Sequence, residues 1–337
     1  MNSILSGVEA CCLFTGTNGR RGCTANCRGC FVGEFEASNS MYQGNTEQVH
    51  ELLGTLPNLR RVNIVGNPDP SVDTEFCNVT ARLIQQKGKE ISFCTNGVRC
   101  DEVVKKLVEG LEPSLIHAIV FSIDSLDEKL NTFMKGTKIS LQKIFQTMKH
   151  LKGMGIGVQA FFTIWPDNMD EDWTAYTDFF ESQGVYTSGR FGNVESAQGR
   201  VAHISEDNIL QIRKKHNDVR LSILLANDDE YNEYLSTFVA NDEFRCTDLK
   251  KINVYLTEGE IKASYYCPMA STIYPIYFAP IQDLKRPFFY EDIIKTGYCP
   301  IAEQCMGFKS TKLHPICRFH KNLPKKILSK ESHRLFN

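Results

Sequence analysis

Short β-rich apolar runs alternate with helical stretches along about the first 200 residues, and this rhythm constrains the fold more than any other feature. Six runs read as strands: 7–14, 61–65 (RVNIV), 90–95 (EISFCT), 117–123 (HAIVFSI), 158–164 (VQAFFTI) and 185–190. Segments 46–56, 72–86, 101–109, 171–182 and much of 127–151 read as helices between them. Apolar strands separated by helices of about 10–15 residues imply crossover connections and a parallel sheet wrapped by helices. Eight such units close a full barrel of about 250 residues; six predict an α/β fold that is a partial (β/α)6 barrel, open on one side. Past residue 240 or so, cysteines, aromatics and prolines rise and the rhythm is lost. The expected organisation is therefore a barrel domain over 1–240 and a small Cys-rich α+β extension over 241–337, with a basic tail.

A chain of 337 residues fits two domains at roughly 100–200 residues each. Charged residues at 23% and hydrophobic residues at 42% exclude wholesale disorder. No apolar stretch approaches about 18 residues, so no membrane span is expected. The formal charge of −2 gives no broad basic face, so nucleic acid is not an expected partner. The tail Arg318–Asn337, with six Lys/Arg against one Glu, reads as a solvated basic end. The start, MNSILSGVEACCLF, lacks the pattern of a secretory signal, and a cytoplasmic location is expected. Thirteen cysteines in such a chain point to cofactor ligands in a reducing compartment rather than to disulfides.

Three of them form the sharpest motif, Cys23-Thr-Ala-Asn-Cys27-Arg-Gly-Cys30, directly after the first strand. Three thiolates on one loop can face a single centre. Structural zinc wants four ligands, and no fourth Cys or His lies close by. An iron–sulfur cube held by three cysteines keeps one iron open for another ligand. Gly16, Gly19, Gly22 and Gly29 let the backbone wrap closely around a bulky group. Cys11, Cys12, Cys77, Cys94 and Cys100 fall in or beside strands and helices and read as small core residues.

With Cys23, Cys27 and Cys30 at this spacing after strand one, the chain resembles the radical S-adenosylmethionine (radical SAM) enzymes. The resemblance covers about residues 5–200 and implies a 4Fe–4S cluster whose open iron chelates SAM. Gly29 stands where the family has an aromatic residue, so packing on adenine falls to Phe31. Gly66, Asn67, Pro68 and Asp69 occupy the turn after strand two, where the family meets the SAM ammonium. Asn96 ends strand three within Thr-Asn-Gly, and Ser122 and Asp124 end strand four like the Ser-x-Asp that meets ribose or carboxylate. Lys135, before Gly136, falls where relatives carry Arg-Gly, a partner for the methionyl carboxylate. Thr163 and Arg190 extend this cofactor-binding set, and Gln159, Phe161, Ser188 and Asn193 are pocket-lining candidates beside them. Arg190 can hold a carboxylate or phosphate bidentately.

In the extension, Cys246 and Cys267 flank a hairpin reading INVYLT, Glu-Gly, IKASYY, and Cys299, Cys305 and Cys317 follow. This resembles the SPASM and twitch extensions of radical SAM enzymes and implies a second, auxiliary 4Fe–4S cluster. The expected ligands are Cys246, Cys267, Cys299 and Cys305, with Cys317 as substitute; a structural zinc site on the same cysteines is the rival. The leading functional reading is hydrogen-atom abstraction from a small polar, sugar- or nucleoside-like substrate, with a flavodoxin or ferredoxin as electron donor. The runner-up is a maturase of ribosomally made peptides, and a non-enzymatic iron–sulfur or zinc scaffold is a third.

Overall fold

The computed structural model describes residues 5, 8–16, 23–28, 42–66, 69–191, 208, 211–212, 215–216, 251–265 and 279–284. Six strands carry the alternating pattern: β1 (Ala10–Phe14), β2 (Arg61–Gly66), β3 (Glu90–Thr95), β4 (Ile116–Ser122), β5 (Val158–Ile164) and β6 (Tyr186–Phe191). Helices α1 (Thr46–Thr55), α2 (Thr74–Gln86), α3 (Cys100–Val108), α4 (Glu128–Lys135), α5 (Leu141–Gly153) and α6 (Trp173–Glu181) fall between them. Each strand pairs in parallel with the next, so β1 to β6 form a parallel sheet that does not close on itself. This is the expected partial barrel.

The hairpin also forms, as β7 (Lys251–Thr257) and β8 (Glu260–Tyr265), paired antiparallel around the Glu258-Gly259 turn. Local pattern did not reveal its location. β7 lies parallel to β1, with Ala10 opposite Lys251 and Phe14 opposite Tyr255, so the hairpin continues the barrel sheet. The two-residue strand β9 (Ala279–Pro280) completes the order β6-β5-β4-β3-β2-β1-β7-β8-β9. Gln48 of α1 locks the junction: its buried side-chain amide donates to the carbonyls of Thr257 at 2.9 Å and Glu260 at 3.2 Å.

Strand alternation divides the sheet into two faces. Val62, Ile64, Ile91, Phe93, Ile119, Phe121, Ala160 and Phe162 are buried against the helices. Phe162 stacks on Trp173 at 4.5 Å between centroids, and Tyr176 packs beside both. Burial of side chains this large contributes roughly 1.5–3 kcal/mol each. The Tyr176 hydroxyl then donates to Ile123 O at 2.7 Å, so the aromatic core also holds the end of β4 in place.

The opposite, inner face carries Cys12, Asn63, Ser92, Cys94, Ser122, Gln159, Phe161 and Ser188, linked across neighbouring strands by register. Cys11, Cys77 and Cys100 are core residues as expected, and burial pushes their thiols up, keeping them protonated. Cys12 and Cys94 are not: both are half-buried on the inner face. Their neighbours Leu13 and Phe93 take the helix-facing positions, and strand parity puts the two cysteines on the other side.

Candidate functional site

Two polar clusters form at the C-terminal ends of the strands, where a barrel of this kind carries its site. The first gathers on the turn after β2. Gly66 has a left-handed φ of 82°, and a Cβ there would collide with Pro70 N, so the chain can fold back sharply only with glycine. The turn buries Asp69, whose carboxylate accepts from Ser71 N at 2.8 Å, Asn96 N at 2.7 Å and Thr95 Oγ1 at 3.4 Å. Burial pushes this carboxyl upward, and the hydrogen bonds from Ser71, Asn96 and Thr95 oppose that rise. Asn96, fixed in turn, points its side-chain amide at Cys23 Sγ (3.8 Å) and Thr24 Oγ1 (3.3 Å). Thr24 and Ser71 hydroxyls meet at 2.9 Å. The start of the cysteine loop is thus tied to β2 and β3.

The second cluster sits at the ends of β4 and β5. Lys135 Nζ lies 2.7 Å from Asp124 Oδ2 and donates to Ser122 Oγ at 2.6 Å, with the lysine side chain only 3% exposed. Asp124 Oδ1 accepts from Thr163 N at 2.9 Å, and Asp124 N donates to Asn131 Oδ1 at 2.9 Å. Asn168 completes the frame by donating to the carbonyls of Asp124 (2.7 Å) and Thr163 (3.0 Å). Burial alone pulls the Lys135 ammonium down, but Asp124, Cys27 and Cys94 together carry it above its ordinary value, so it stays charged.

The cysteine loop bridges the two clusters. Beyond Cys23 and Thr24, Asn26 N donates to Lys135 O at 2.9 Å and Arg28 N to Met134 O at 3.0 Å. The Arg28 guanidinium lies 4.4 Å over the Phe133 ring and reaches Asp167 at 3.2 Å. Cys23 and Cys27 are both half-buried and packed against the core edge.

Of the residues singled out from the sequence, Cys23, Cys27, Gly66, Asp69, Asn96, Ser122, Asp124, Lys135 and Thr163 fall within this bridged arrangement. Arg190 pairs through its backbone with Thr163. Gln159 donates to Ser188 Oγ at 2.6 Å on the inner face. Cys30, Phe31, Asn67, Pro68 and Asn193 lie outside the described residues, as do Cys246, Cys267, Cys299, Cys305 and Cys317. Among the described residues no three Cys, His, Asp or Glu side chains converge as a metal site. Sequence reasoning missed Thr24, Ser71, Asn131 and Asn168, which hold the named residues; only Asn168, in the Trp-Pro-Asp-Asn turn after β5, carried a recognisable turn signal.

Two thiols on a glycine-flanked loop, an amide N–H aimed at one sulfur and a buried ammonium nearby fit an anionic, thiolate-ligated cluster. Residues 17–180, just under half of the chain, match the family model of the Radical SAM superfamily. An uncharacterized protein of Methanocaldococcus jannaschii is 26% identical over 173 residues, a match covering 48% of this chain and 39% of that one. The matched segment therefore spans well under half of that relative's length. SuiB of Streptococcus suis has the same fold, with a TM-score of 0.56 at 13% identity, covering 90% of this chain and 68% of SuiB. So does anSMEcpe with bound AdoMet, with a TM-score of 0.58 at 14% identity, covering 96% of this chain and 98% of that one. SuiB has also been solved bound to the precursor peptide SuiA, and anSMEcpe with AdoMet and the Cp18Cys peptide. No helix among the described residues is long and apolar enough to cross a membrane.

Proposed function

We propose that this chain is a radical SAM enzyme that abstracts a hydrogen atom from a small polar substrate held on the inner face of its open barrel. One observation carries the reading: the cysteine loop is docked onto both polar clusters, with Asn96 directed at Cys23 and the Lys135–Asp124 pair beside Cys27. Cys23, Cys27 and Cys30 are the cluster ligands, three thiolates leaving one iron for SAM. When bound, the cluster supplies one electron that splits SAM into methionine and a 5′-deoxyadenosyl radical, which takes a hydrogen atom from the substrate.

The protein's own groups orient and shield. Asn96 donates toward Cys23 Sγ and stabilises its negative charge. Asp69, itself held by main-chain donors, fixes the Asn96 backbone and belongs with Gly66, Asn67 and Pro68 to the wall facing the SAM ammonium. Ser122 and Asp124 present the polar end of β4 to the SAM ribose or carboxylate, and Thr163 N–H keeps the Asp124 carboxylate aimed. Phe31 covers the adenine. The Gln159–Ser188 pair supplies a donor and an acceptor to a hydroxylated substrate, and Arg190 is assigned to an anionic group from its residue type alone. Packed helices close the opposite face of the sheet to water.

We extend the reading to the C-terminal cysteines as ligands of an auxiliary 4Fe–4S cluster: Cys246, Cys267, Cys299 and Cys305, or Cys317 in place of one. The hairpin expected between Cys246 and Cys267 is present as β7 and β8, which supports it. A flavodoxin or ferredoxin is the fitting electron donor, in a cytoplasmic setting. A second substrate class, a ribosomally made peptide, is favoured by the fold shared with two proteins solved with peptides.

Anaerobically reconstituted protein with SAM and dithionite should release 5′-deoxyadenosine, and Cys27→Ala should abolish release while leaving the fold intact by circular dichroism. Undiminished release from a variant lacking Cys23, Cys27 and Cys30 defeats the assignment. Iron near eight per chain supports two clusters, whereas about four irons with one zinc supports the zinc reading of the extension.

A further inference from the structure

The last turn of α4 makes two sets of contacts in opposite directions. Its main-chain carbonyls at Met134 and Lys135 accept from Arg28 N and Asn26 N of the cysteine loop. Helix C-terminal carbonyls need partners from outside the helix, and here loop amides supply them. The Lys135 side chain leaves the same turn toward Asp124 and Ser122 at the end of β4. Gly136 follows as the helix cap, with a left-handed φ of 60°, and a Cβ there would collide with Asn26 O. Arg28 clasps the turn from outside, over Phe133 and onto Asp167.

We propose that the last turn of α4 is a positioning strut between the cysteine loop and the Asp124 wall: Gly136 sets how closely the loop docks, and Lys135 acts on bound SAM through Asp124 rather than by touching it. The inference rests on the radical SAM reading of residues 23–30. Its physical basis is a mismatch of tolerances. Clearing a Cβ at position 136 moves Asn26, the neighbour of Cys27, by on the order of 1 Å, whereas metal–ligand distances tolerate only about 0.2 Å. The Lys135 ammonium already has a carboxylate and a hydroxyl within 2.7 Å, so its charge is committed inside the wall.

The test compares full-length wild type, Gly136→Ala and Gly155→Ala after anaerobic reconstitution. Gly155 shares the left-handed conformation at a φ of 78° but has nothing within 4 Å of its Cβ position, so it isolates backbone strain from the loop contact. Gly136→Ala should retain less than half the wild-type iron, or release it to a chelator at least tenfold faster, while Gly155→Ala behaves as wild type. Equal behaviour of the two variants, whether both normal or both depleted, overturns the strut. Iron-free wild type would instead strike at the cluster reading itself, a different failure. Should Gly136→Ala not fold, Arg28→Met, which leaves the backbone alone, should speed iron release several-fold, and an unchanged rate refutes the proposal.

The Lys135 half is read from SAM affinity of iron-loaded protein. Lys135→Met and Asp124→Asn should each weaken SAM about tenfold and the double variant no further, the non-additivity expected of groups acting as one. A roughly hundredfold loss in the double means that Lys135 touches SAM directly, and the proposal falls. If Lys135→Met alone does not fold, Asp124→Asn against the double, in which neither charge is left unpaired, still decides: equal affinities support, a tenfold worse double refutes.

Discussion

Two ion pairs of nearly equal length stand at opposite edges of the same parallel sheet, one past the strand ends and one at the strand starts. Lys135 and Asp124 meet at 2.7 Å where the strands end, with side chains 3% and 8% exposed. Arg61 and Glu90 meet at 2.6 Å where β2 and β3 begin, with side chains 40% and 43% exposed. The first pair is enclosed by Ser122, Thr163 N–H and the α4 turn, so each charge has lost water and depends on its partner. The second pair keeps much of its hydration and has His117 as a further neighbour, 4.0 Å from Glu90. Distance is therefore no guide to what the two pairs do. The dry pair organises the proposed cofactor site; the wet pair joins the starts of two strands already held in register by backbone hydrogen bonds.

The sharpest way to break this comparison is to remove one lysine. Lys135→Met leaves Asp124 buried and unpaired, and should cost about 3–5 kcal/mol in urea unfolding. A loss below about 1 kcal/mol, the scale of an exposed pair, would erase the distinction between the two ends. Next in size comes Asp69→Asn, which replaces an acceptor of two main-chain N–H groups by an amide that can turn only one oxygen toward them. One buried donor is then stranded, at a cost of about 1–3 kcal/mol by the same measurement. The dry pair also has its own pH signature. Because the folded-state value of Lys135 is raised above 10.5, its stabilisation is complete below that pH and is lost only as pH rises through the folded-state value. Wild type should therefore lose stability in alkali more steeply than the Lys135→Met/Asp124→Asn double variant.

Strand positions were legible in the sequence to within one residue, except that β1 starts at Ala10 rather than at residue 7, for a local reason. EISFCT and VQAFFTI return as β3 and β5 with the same ends, because each is a short apolar run of strand length bounded by turn signals. The helical stretch 127–151 held its own break: Gly136 ends α4 and Ser140 caps α5. Cys12 and Cys94 were misread as core although their parity against Leu13 and Phe93 was available. The pairing of β7 with β1 was out of reach, since residues 10 and 251 meet through a register that no local pattern encodes. The site divides the same way. Cys23, Asp69, Asn96 and Asp124 could be picked out by motif and position. Part of what holds them is main chain to main chain, as in the Asn26–Lys135 and Arg28–Met134 bonds, which leave no side-chain signature. The Asn131 and Asn168 side chains bond main-chain groups of residues far along the chain or seven away, and no local pattern names those partners.

The wet end should respond weakly and in a different currency. Arg61→Ala should change stability by less than about 1 kcal/mol, and raising salt toward 1 M should shrink even that difference. The same salt should leave the Lys135→Met penalty nearly unchanged, since ions do not enter a pair this buried.

The smallest effect concerns His117, which sharpens the contrast because it titrates near neutrality. Its pKa lies below the ordinary 6.5, first because it is partly desolvated and then because of the Arg61 charge, with Glu90 pulling the other way. A histidine with a depressed folded-state value contributes stability above the unfolded value of 6.5 and loses it as pH falls through the folded value. Wild type should therefore soften slightly on acidification below pH 6.5, and Arg61→Ala should soften less there, because removing the guanidinium lets the His117 value climb back. NMR titration of the imidazole reads this directly. An upward shift in Arg61→Ala is expected, whereas a downward shift would mean that Glu90, released from Arg61, no longer faces the ring and that the three groups do not form one cluster.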